Sequence, residues 1–159
     1  MYFTLGNIYA ALRFSGVLAT GFYVGGSMYM GISHIPSMLA MSDMSQALLQ
    51  FQVYWPKERQ LPICGVTSGL SGIAIYLLKR DPNDYPWLIG GVAMTFFGFY
   101  TFAVIYPDSI GPLLKADPTK DKDGQHTRSL LEKFKTYHYP RMLTGIATFI
   151  AYTYCFGFK

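Results

Sequence analysis

The sequence predicts an all-α fold: an integral membrane, antiparallel four-helix bundle with amphipathic helical segments in its two longer loops. Three observations lead there. Half of the residues are hydrophobic (51%) and only 14% are charged, against about a quarter charged in a soluble domain. The charges are bunched between Asp43 and Gln60 and between Asp108 and Arg141, as expected where a charge at membrane depth costs several kcal/mol. Four apolar blocks approach the roughly 20 residues that cross about 30 Å of hydrocarbon.

The first block covers about residues 8–32. It is longer than the 7–15 or so apolar residues of a cleavable leader, so it is read as a retained span. Arg13, one or two turns in, reads as a snorkelling side chain. In the 33–60 link, Met38, Met41, Met44, Leu48, Leu49 and Phe51 recur at near-helical spacing. They predict an amphipathic helix in the interface or over the bundle mouth. The second span, about 61–79, opens at Pro62 and closes at Lys79 and Arg80. Asp81-Pro82-Asn83-Asp84 is a turn cluster. The third, about 86–107, opens at Pro86 and Trp87 and ends at Tyr106 and Pro107. In the 108–138 link, Leu130, Leu131, Phe134, Tyr137 and His138 predict a helix from about Thr127, running into the fourth span, about 139–158, through Pro140. Lys159 closes that span.

Residues 1–159 therefore form a single domain. Gly21-x-x-x-Gly25 and Gly65-x-x-x-Gly69 offer small faces, read as packing inside the bundle. An even number of spans puts both termini on one side. The excess of Lys and Arg in the two long links places those links in the cytosol, or on the inner side of an organellar inner membrane; an endomembrane fits equally.

Composition excludes several functions. The net charge of +4 does not mark a nucleic-acid protein, because lysines alternate with aspartates from Lys115 to Asp123. Cys64 and Cys155 lie in apolar blocks without a C-x-x-C, so free thiols are expected. His34, His126 and His138 show neither paired haem-ligand depths nor E-x-x-H spacing, and no metal is expected. The predicted spans hold no Asp or Glu, which argues against an ion carrier.

What remains is one bundle mouth where His34, Trp55, Tyr106, His138 and Arg141 converge. His138 and Arg141 share a helix face at i and i+3. Such a rim suits a phenolic or anionic small molecule, with His34, Trp55 and Tyr106 as binding residues; it equally suits an interfacial aromatic belt whose His and Arg side chains hydrogen-bond loop carbonyls.

The same residues carry a resemblance. A glycine-rich first span runs from G-F-Y-V-G-G to His34-Ile35-Pro36. Leu49-Gln50-Phe51 follows, then T-F-A-V-I-Y-P with Thr101 and Pro107, and Leu113-Leu114. Last comes Leu130-Leu131-x-x-Phe134-x-x-Tyr137-His138-x-x-Arg141. In order and spacing this resembles the anthrone oxygenase-like family of small four-span membrane proteins. Phe134 stands where that pattern has tryptophan. The resemblance implies cofactor-independent oxidation of polycyclic phenols by O₂, with His138 as the base and Arg141 stabilising the enolate or phenolate. A second class is an accessory, non-catalytic subunit of a larger membrane complex, supported by abundant aromatics (17%) and the small-residue faces. The expected partners are the lipid bilayer, other membrane subunits and a lipophilic small molecule.

Overall fold

The computed structural model describes residues 4–121 and 123–158. Lys122, in the second long link, and Lys159, read as closing the fourth span, lie outside the described residues. The described chain is all-helical and builds four long helices: α1 (Leu5–Leu39), α2 (Met44–Lys79), α3 (Pro82–Lys115) and α4 (Gln125–Phe158). Short polar caps start them. Thr4 accepts from the Asn7 amide, Asp43 from Ser45, Asp81 from Asn83, and Asp121 from Thr127, meeting donors that a first helical turn leaves free. Before α4, Gly124 takes φ +67 with its Cα against Met44, a conformation and a space that only glycine suits.

Each of α1, α2 and α3 is long and apolar enough to cross a membrane. α4 matches them in length, but its first half carries Arg128, Glu132, Lys133, Lys135 and Arg141. Outward-facing Phe14, Phe22, Ile63, Ile89, Phe96, Phe99 and Ile150 are all more than half exposed, the reverse of a water-soluble surface.

The helices run further than expected. At 34 to 36 residues and 1.5 Å rise, each is about 50 Å long, against some 30 Å of hydrocarbon. The amphipathic segments are thus continuations of the bundle rather than separate helices lying in the interface. The physical reason lies at the prolines. A proline lacks its N–H and clashes with the carbonyl four residues back, so Pro36 and Pro107 read as stops. Here α1 widens to π-helical turns over Met30–His34 and α3 over Thr101–Ile110, and these turns absorb the defect without ending the helix.

The projecting ends, where α1 meets α2 and α3 meets α4, share a core of Ile35, Met38, Leu48, Phe51, Ile110, Leu113, Leu131 and Phe134. Towards the termini the core is Ile75, Trp87, Tyr152 and Cys155. Between them, Gly69 and Gly91 bring α2 and α3 into backbone contact. A Cβ at Gly69 would lie 2.7 Å from the Gly91 carbonyl, and one at Gly91 the same distance from that of Gly69. The Gly65-x-x-x-Gly69 face therefore packs inside the bundle, as read from the sequence. The Gly21-x-x-x-Gly25 face is divided: a Cβ at Gly21 would meet the Phe149 ring at 3.3 Å, whereas one at Gly25 would meet nothing within 4 Å.

In the projecting tier, Asp108 of α3 accepts from Lys133 Nζ and from Tyr137 Oη of α4, both at 2.6 Å. The Lys133 bond, and then the Tyr137 bond, hold the carboxyl below its ordinary range, and the same contact raises the Tyr137 phenol. A carboxyl whose value is lowered by folding stabilises the fold at pH above its unfolded value. That contribution disappears as pH falls through the folded value. Melting temperature should therefore decline in this acidic window, and Asp108→Asn should flatten the decline with a small loss at neutral pH, screened by salt. Melting curves across pH for both forms check this.

Candidate functional site

α4 carries His138 and Arg141 on its inner face, 1% and 3% exposed. α1 approaches closely because residue 31 is glycine: a Cβ there would stand 2.9 Å from Met142 Sδ and 3.2 Å from His138 Cδ2. That approach lets His138 Nε2 reach the Ser27 carbonyl at 2.8 Å. A carbonyl only accepts, so Nε2 bears the proton, and the neutral ring presents its lone pair at Nδ1. Nδ1 is buried and has no hydrogen-bond partner in the protein. Nor have the buried Nε and Nη1 of Arg141, and no ion pair among the described residues engages Arg141.

A second histidine joins from α1. His34, 5% exposed, sets Nδ1 3.1 Å from Glu58 Oε1 of α2, leaving Nε2 buried and unpartnered. Its ring lies 5.8 Å from that of Tyr29 and 5.1 Å, edge-on, from that of Tyr54. His34 lies three residues beyond Gly31 on α1, the helix that packs against the His138 ring. Among the described residues, nine buried side-chain N or O atoms lack a partner, and five of them belong to Ser27, His34, His138 and Arg141. Each such atom costs about 1–3 kcal/mol, so the centre is a concentrated store of unsatisfied donors and acceptors.

Four of the five residues read from the sequence thus fall in or under this centre. Trp55 forms the layer beneath: it stacks on Phe51 at 5.8 Å and meets Phe134 edge-on at 5.7 Å, and Phe134 lies 6.0 Å from the His138 ring. Tyr106, expected on the rim, lies in the π-helical stretch of α3 and is 43% exposed; among the described residues no hydrogen bond or ring contact joins it to the centre. Sequence reasoning missed Ser27, Gly31 and Glu58. Ser27 contributes a backbone carbonyl, which leaves no side-chain signal, and Glu58 looked like one more charge in a polar link. Among the described residues, no group of three His, Cys, Asp or Glu is placed to hold a metal ion.

Two clefts open on the outer surface of the bundle near the centre's level, and the first reaches it. One, of about 460 Å³ between α1 and α2, is lined by Tyr29 and Glu58, which both touch His34, and by Gly26, Leu61 and Lys57. The other, about 610 Å³ and almost wholly apolar, runs along Gly21 and Gly25 beside Phe149. They share Phe22 and Gly26. Compared with protein-family models, curated proteins and solved structures, the chain matches none.

Proposed function

We propose that the chain is a four-span membrane protein whose His138–Arg141 pair binds a lipophilic, acidic phenol-type molecule and promotes its cofactor-independent oxidation by O₂. One observation carries the reading: a buried arginine with no counter-ion stands beside a buried histidine whose open nitrogen is a base. A buried, uncompensated cation is costly to a fold, and an anionic ligand is what offsets it. The resemblance to anthrone oxygenase-like proteins supplies the reaction class.

In that chemistry His138 Nδ1 takes a proton from the substrate's ring methylene. Arg141 stabilises the enolate through charge-assisted hydrogen bonds. The carbanion reduces O₂ to a hydroperoxide, and loss of water from it leaves a carbonyl, so one O₂ converts CH₂ to C=O and H₂O. No resident cofactor is required. The substrate approaches laterally from the bilayer, along the apolar groove and through the α1–α2 cleft. The fourth span is the part of α4 beyond Arg141, where Leu143 and Ile150 face outward.

The test is O₂ uptake by the detergent-purified protein supplied with an anthrone. The wild type is expected to exceed the protein-free rate, and His138→Ala to lower the excess by about 10²-fold. Equal uptake by both proteins counts against the proposal.

The outward Gly21-x-x-x-Gly25 groove favours a second reading, an accessory subunit that seats a partner helix there. A native gel of gently solubilised membranes separates the two: co-migration with a large assembly in fixed ratio supports the subunit.

A further inference from the structure

At the opposite end of the bundle, where α1 begins and α4 ends, a pocket of about 310 Å³ is lined by Tyr9, Arg13, Lys79, Asp81, Asn83 and Asp84. Its charges are unevenly committed. Asp84, 8% exposed, accepts the Tyr9 hydroxyl on both oxygens, at 2.9 and 3.0 Å. Asp81 accepts the Asn83 amide at 2.8 Å, capping α3. The two cations are not engaged by these acids. Neither Arg13 nor Lys79 is within ion-pair distance of a carboxylate among the described residues. Arg13 donates to the Cys155 carbonyl near the end of α4 and sits 5.5 to 5.8 Å from the rings of Tyr9, Phe156 and Trp87. Its Nε is buried without a partner. Lys79 Nζ stands 3.8 Å over the Tyr9 ring.

Aromatic walls thus hold two cations towards one opening, while Asp84 is occupied on both oxygens by Tyr9 and Asp81 on one by the Asn83 amide. The geometry points to a phosphodiester as the occupant, held by Arg13 and Lys79, with a membrane phospholipid as its source. A guanidinium and an ammonium together match tetrahedral phosphate oxygens. The pocket lies where the apolar run of α2 ends at Lys79, the depth at which lipid phosphates lie. This site is separate from the His138–Arg141 centre and does not depend on the reaction proposed for it.

Native mass spectrometry of the detergent-purified protein, titrated with a short-chain phosphatidylglycerol, tests the assignment. One lipid per chain is expected. Lys79 is exposed, so Lys79→Gln leaves the core intact, and it should weaken binding about tenfold, as loss of one charge-assisted contact does. Tyr9→Phe should also weaken it, because Asp84, released from the hydroxyl, then competes for the cations. Three results would overturn the assignment: unchanged binding to Lys79→Gln, equal binding of a phosphate-free glycolipid of the same chain length, or displacement of the lipid by millimolar inorganic phosphate. The last would give the site to a free anion.

Discussion

Alanine at Gly69 should destabilise the bundle by about 3 kcal/mol, the upper range for overpacking a well-fitted core. The new methyl would lie 2.7 Å from both the Gly91 carbonyl and the Thr95 amide nitrogen. These are backbone atoms, which cannot swing aside as a side chain can, so α2 and α3 must separate. Gly91→Ala meets the Gly69 carbonyl at 2.7 Å and the Ile73 amide nitrogen at 2.8 Å, and should cost a similar amount. Both changes act on one contact, so the double variant should lose much less than the sum. Unfolding of the four proteins in detergent, followed by helical circular dichroism, checks the pattern. Gly25→Ala, with open space at its Cβ, is the comparison that should change little.

Arg141→Met is expected to raise stability by about 1–4 kcal/mol, the gain found when buried ion pairs are replaced by apolar residues of similar volume, because here too no unpaired charge is left behind. The same change should abolish O₂ uptake with an anthrone, because no group then balances the enolate. The two effects have opposite signs, which separates this residue from one that only packs. His138→Ala removes the base without removing a charge, so its activity should also fall, without the gain in stability. It leaves a cavity beside Gly31 and Met142, and a stability loss is expected instead. Thermal melts and oxygen-electrode rates on the same preparations measure both quantities.

Much of this architecture was legible because its causes are local. The apolar blocks marked the helices, and His138-x-x-Arg141 placed two polar side chains on one face by helical spacing alone. Leu130, Leu131 and Phe134 likewise announced a helix running through Pro140 into the last apolar block. Helix extents were less legible. Pro36 and Pro107 signal a break, and only the fold decides between a stop and a π-helical turn that carries the helix on. The partners of the site were hidden by distance along the chain. Glu58 meets His34 across 24 positions, and Ser27 meets His138 across 111. Neither pairing has a spacing to read, and the second uses an atom that every residue possesses. Gly31 was visible as a glycine, but what demands it is a ring from another helix.

The measurement that bears most directly on the His138–Arg141 centre is a thermal-shift titration with a dihydroxyanthraquinone, a polycyclic phenol that lacks the reactive methylene. A ligand that binds only the folded state at 100 times its Kd stabilises by about 2.7 kcal/mol. The wild type should show a saturable rise in melting temperature, and Arg141→Met, although more stable at the outset, should show none. Equal shifts in the two proteins, or no shift in the wild type, would contradict a ligand-binding role for the buried pair.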